Sequence, residues 1–200
     1  MTNSQYAFAR FALPLLVLFA PLCTLAHVTP ATAAAAVVAP AVRDHLTAQE
    51  ADLVREEQTL DRRTAVFVKA VERRFLVLTD ANAAASKPVQ KDLEKWGELP
   101  KGTRTELLND IAKILDEAIT NIDDVSERDA KNPLLPKSLR KLSEASTRFL
   151  TQLTPMRAAA QSDDEREAID QATENAQAII TAAQKLPPDT GKSKKEKGKS

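Results

Sequence analysis

The sequence predicts an all-α protein: an antiparallel up-down four-helix bundle with a long first helix, preceded by a signal peptide and followed by a disordered, lysine-rich tail. Three observations lead there. The chain has only four glycines, Gly97, Gly102, Gly191 and Gly198, all outside its periodic segments, whereas β-hairpins and nucleotide-binding α/β folds need glycine at their turns. The prolines Pro40, Pro88, Pro100, Pro133, Pro136, Pro187 and Pro188 fall at boundaries. The stretches between are rich in Ala, Leu, Glu, Lys, Arg and Gln, good helix formers, with apolar residues recurring at helical spacing.

Residues 1–36 read as a secretory leader. Arg10 precedes an apolar run from Phe11 to Ala26, and the small residues Thr24-Leu25-Ala26 and Ala31-Thr32-Ala33 offer cleavage sites. Two other readings keep the chain on a membrane: residues 11–38 as an uncleaved anchor, or Cys23 as a lipidated N-terminus. Pro14 and Pro21 interrupt the first, and Leu22 departs from the small residue expected before a lipidated cysteine. Cys23 is the sole cysteine, so the mature chain has no disulfide, thiolate nucleophile or cysteine-based zinc site, and an ordinary core must hold it. Export to the periplasm or beyond is the expectation.

Residues 37–46 form a lead-in, and the bundle spans 47–186. Thr47 and Glu50 make a capping-box pair, opening a helix near 48–80 with its stripe at Leu53, Leu60, Thr64, Phe67, Val71, Phe75 and Leu78. Glu56, Arg63, Glu72 and Arg73 are expected on the opposite, solvated side. Residues 81–102 form the longest connection, within which Pro88 to Trp96 is expected to make a short helix ended by Gly97. Thr103 and Glu106 repeat the capping box before a helix near 104–126, whose stripe is Leu107, Leu108, Ile111, Ile114, Leu115, Ala118, Ile119 and Ile122. A third helix near 137–160 carries Leu139, Leu142, Ala145, Phe149, Leu150 and Leu153, with Pro155 kinking or ending it. Ser162 and Glu165 open a fourth, near 163–185, with alanine at 168, 172, 176 and 183 and isoleucine at 169, 179 and 180. Residues 187–200 are the polar tail.

The inventory for catalysis is thin. No H-E-x-x-H, G-x-S-x-G or glycine-rich phosphate loop is present. Past the leader His45 is the only histidine, expected to be an exposed boundary residue. Asp123, Asp124, Glu127 and Asp129 read as a solvated helix end, without the spacing of a calcium loop. Asp163, Asp164, Glu165 and Glu167 suit the positive end of a helix dipole. The doublets Arg62-Arg63 and Arg73-Arg74 alternate with Asp61 and Glu72, which predicts an exposed, salt-bridged face. Trp96 is expected to plug the bundle end beneath the long connection. The expectation is therefore no enzyme, and no catalytic, cofactor-binding or metal residue.

Basic and acidic residues number 28 each. Because the tail holds Lys192, Lys194, Lys195, Lys197 and Lys199, the body is net acidic, which argues against nucleic acid as a partner. Leu46-Thr47-Ala48-Gln49 faintly resembles the Leu-Thr-x-x-Gln motif of small periplasmic stress chaperones of the Spy type, with the glutamine one position early. The sequence thus points to a protein acting through protein–protein contacts, on the alanine-rich face of helix four or an overhang of helix one. A chaperone-like stress protein is the alternative and a carboxylate-dependent hydrolase a distant third. Membrane contact is expected only through an uncleaved leader or the lysine tail.

Overall fold

The computed structural model describes residues 44–187; the expected leader, the lead-in before Asp44 and the tail beyond Pro187 lie outside them. Among the described residues there are six α-helices, one 3-10 turn and no strand: α1 (Ala48–Glu56), α2 (Leu60–Thr79), the 3-10 turn Ala83–Ala85, α3 (Lys87–Trp96), α4 (Arg104–Arg128), α5 (Leu134–Ala158) and α6 (Asp163–Gln184). The protein is all-α.

The long first helix is corrected to two. Glu57 turns extended, with ψ 112°, and releases its carbonyl to the side chain of Arg63, whose Nε and Nη2 donate to it at 3.3 and 3.1 Å. No glycine or proline marks the break. Tertiary contacts make it: Glu50 meets Arg73 and Arg74, whereas in one straight helix residues 24 apart would lie about 36 Å apart along the axis. Instead α1 packs against α2 and α3.

Local signals set the other boundaries. Thr47 and Thr103 form complete capping boxes, with Glu50 N–H donating to Thr47 Oγ1 and Glu106 N–H to Thr103 Oγ1, both at 3.2 Å. At α6 only half the device forms. Ser162 Oγ accepts from Glu165 N–H at 3.1 Å, but the Glu165 carboxylate reaches one residue further back, to Gln161 N–H. The third long helix starts at Leu134, ahead of the expected Pro136, because Asn132 Oδ1 accepts the Leu134 N–H and Pro136 falls in the first turn, where no intrahelical N–H is required. Pro155 does not end this helix, which runs to Ala158. Gly97, at φ +63°, closes α3 in the left-handed region that glycine enters without strain.

One core joins α2, α4, α5 and α6. Phe67, Val71 and Phe75 meet Leu108, Ile111, Ile114 and Leu115 of α4 and Leu142, Phe149 and Leu153 of α5. Phe75 and Phe149 stack with ring centroids 5.5 Å apart. Helix α6 lies against both α4 and α5, and its face of Ala168, Ile169, Ala172, Ala176 and Ile179 is buried. The alanine face expected to await a partner is therefore taken up by the protein's own core, since small side chains allow the backbones to approach closely. The first helix also lacks the length from which an overhang was expected, since α2 spans 20 residues against 25 in each of α4 and α5.

Candidate functional site

Where α1, α2 and α4 meet, four ionisable side chains are buried together. Glu50, Arg73, Arg74 and Asp110 are 0, 3, 1 and 4% exposed. The expectation that Arg73 and Arg74 lie on an exposed salt-bridged face is corrected here. Arg74 sits three residues beyond Val71 and seven beyond Phe67, so helical periodicity carries it into the apolar stripe. The same reasoning places Asp110 between Leu107 and Ile114, and Glu50 three residues before Leu53. Periodicity thus held the signal for the cluster, but the charge of the residues argued against burial.

Each carboxylate in the cluster has cationic company. Arg74 Nη1 lies 2.8 Å from Glu50 Oε2 and donates to Oε1 at 2.9 Å, and Arg73 Nε stands 3.0 Å from Oε1. Glu50 Oε2 also accepts the Thr47 N–H at 3.0 Å, so one side chain both caps α1 and pairs with α2. Arg74 Nη1 donates further to Ala70 O and Nη2 to His45 O, at 2.9 and 2.6 Å, and its Nε stands 3.7 Å from Asp110 Oδ2. Two cations against two carboxylates make the cluster neutral. That pairing offsets a desolvation cost of several kcal/mol for each buried ion. Burial pulls Arg73 below its ordinary pKa, while the Glu50 carboxylate opposes the change.

Arg73 carries the cluster outward. Its Nη2 donates to the carbonyls of Gly97, at 3.2 Å, and Glu98, and its guanidinium lies 5.8 Å from the ring centre of Trp96. Trp96 packs with Leu53 and Val66 between α1 and α2. The loop held by these bonds forms one wall of a cleft of about 460 Å³, lined by Val77, Ala83, Val89, Leu93, Leu99 and Pro100. At its edge Lys101 donates to Glu98, and that hydrogen bond holds the Glu98 carboxyl below, and the Lys101 amine above, their ordinary ranges.

His45, expected to be solvated, is instead part of a clasp. Its Nε2 lies 2.7 Å from Glu117 Oε2 of α4, and its side chain is 27% exposed. Arg62 is exposed, 4.0 Å from Glu57, and Arg63 is half-buried. Asp123, Asp124, Glu127 and Asp129 all lie exposed at the end of α4, and no group of three or more His, Cys, Asp or Glu among the described residues could hold a metal. Asp163, Asp164 and Glu165 fall in the first turn of α6. In Leu46-Thr47-Ala48-Gln49, Leu46 enters the core, Thr47 caps α1, and Ala48 and Gln49 are exposed. No helix among the described residues is long and apolar enough to cross a membrane. Compared with protein-family models, with curated proteins and with solved structures, the chain matches none.

Proposed function

We propose that the protein is exported, to the periplasm or beyond, and acts without catalysis through contacts with another protein. Its four long helices would form a four-helix bundle of square section, since α2 and α6 each lie beside both α4 and α5. The contacts Lys137–Asp61 and Arg148–Glu72 run α2 and α5 parallel, and Arg104–Glu165 and Asn175–Ala112 do the same for α4 and α6. The antiparallel arrangement expected of the sequence therefore holds for α2 with α4 and for α5 with α6. The observation that carries the binding role is the character of the cleft beside α3. Its walls are mostly apolar, with Asp80 and Gln90 also in the lining, and Glu98 and Lys101 neutralise each other at its edge. Such a site suits an apolar side chain of a partner helix better than it suits a reaction.

A photo-crosslinking residue at Gln90, which also lines the cleft, tests this reading in intact cells. One discrete partner is expected, and Leu93→Lys should abolish its capture at unchanged helical content. A partner that Leu93→Lys retains would move the contact elsewhere, and no partner at all would overturn the role. The same apolar cleft favours a second reading, a periplasmic chaperone-like stress protein, which predicts that the purified protein suppresses aggregation of unrelated clients. A carboxylate-dependent hydrolase draws no support from Glu50 and Asp110, whose charges are taken up by arginines out of solvent. Export is checked by the intact mass of the protein in each fraction of a Gram-negative host. A soluble periplasmic species starting near His27 to Val37 supports it; a full-length cytoplasmic species would overturn it.

A further inference from the structure

The join between α1 and α2 contains nothing that compels it to bend. Residues 56–60 read Glu-Glu-Gln-Thr-Leu, with no glycine or proline from Ala48 to Thr79, so local preference allows one continuous helix across the break. What folds α1 back is a set of contacts with α2 and α3: Glu50 on Arg73 and Arg74, Leu53 on Val66 and Trp96, and, at the hinge, the Arg63 side chain on the Glu57 carbonyl. The first two join α1 to a surface and do not require that the two belong to the same chain; the Arg63–Glu57 contact closes the hinge itself and is given up when the join straightens. A short connection between elements that could otherwise run straight is the usual setting for exchange of an arm between copies.

We propose that α1 is an exchangeable arm: the Glu57–Thr59 join straightens, and α1 of one copy docks in the α2–α3 cradle of a second copy. Charge complementarity selects this occupant. The cradle presents two buried arginines, and emptying it would leave them without the Glu50 carboxylate. Any replacement must therefore bring an acid on the apolar face of a helix, three residues ahead of a leucine, and α1 of a second copy brings both. Exchange of this kind goes beyond the binding role proposed above, and neither depends on the other.

The test is the mass in solution, by light scattering, after refolding the purified protein at low and at high concentration. A dimer is expected that grows with refolding concentration. Replacing Glu57, Gln58 and Thr59 together by alanine, which favours a straight helix, should raise it several-fold. Gln58→Pro, which stops helix propagation after the extended Glu57, should suppress it while leaving the helical content intact. In a Cys23→Ser background, Leu53→Cys and Val66→Cys chains refolded together should unite in a disulfide-bonded heterodimer. Monomer at every concentration, for wild type and hinge variants alike, would overturn the proposal. So would a dimer that neither hinge variant changes, since its interface would then lie elsewhere.

Discussion

The seam where α6 meets α4 and α5 and the corner where α1 meets α2 and α4 are both closed to solvent, yet they are built from opposite materials. Along the seam Ala168, Ala172 and Ala176 let α6 settle onto Ile111, Leu115 and Leu142; Asn175 Nδ2 donates to Ala112 O at 2.9 Å within it, and the ion pairs Arg157–Asp170 and Arg104–Glu165 lie toward its ends. At the corner a carboxylate, two guanidiniums and a second carboxylate are interlocked with backbone carbonyls. Apolar area is non-directional, so the seam rests on fit and would accept another side chain of similar volume. The corner depends on each partner being present, because an unpaired buried ion is far costlier than a lost methyl group. The lesson is one of specificity: the seam brings helices together, and the corner decides where α1 goes.

Removing Glu50 should break this contrast most severely. Glu50→Ala leaves two buried arginines short of their shared carboxylate and is expected to cost about 3–5 kcal/mol in denaturant unfolding. Adding Arg74→Ala should recover part of that loss, with a coupling of about 0.5–3 kcal/mol. Additivity of the two changes would mean that the pair does not act as a unit. For the apolar side of the comparison, Leu115→Ala at a position 1% exposed should cost about 2–5 kcal/mol, as a cavity in a dry core does. A value below about 1 kcal/mol would show that the core around α4 relaxes freely.

The smallest effect is expected at the surface, where Lys137 of α5 reaches Asp61 of α2 at 2.6 Å. The hydrogen bond from Lys137, assisted by one from Thr59, holds the Asp61 carboxyl below the usual range. A depressed carboxylate stabilises the fold above its ordinary range and loses that contribution as pH falls through its lowered value. Asp61→Asn should therefore lower stability slightly near neutrality and flatten the acid limb of the stability profile. An unchanged acid limb would remove Asp61 from the account of how α2 and α5 are joined.

Much of this was legible in the residues themselves. Thr47 with Glu50 and Thr103 with Glu106 announce helix starts because the capping interaction is local, completed within four residues. Gly97 announces the end of α3 for the same reason, and the stripes of α4 and α6 identify their buried faces by period alone. The cleft beside α3 could not be read, since Val77 and Leu99 become neighbours only when the connection folds over α2. Nor could the break at Glu57, where the sequence offers an unbroken run of helix formers. That decision belonged to the tertiary structure, because Glu50 is 24 residues from Arg74 and only a chain folded back on itself brings their charges within 2.8 Å. Short-range hydrogen bonding and periodicity are properties of sequence, whereas the pairing of buried charges depends on distances that only the packed fold sets.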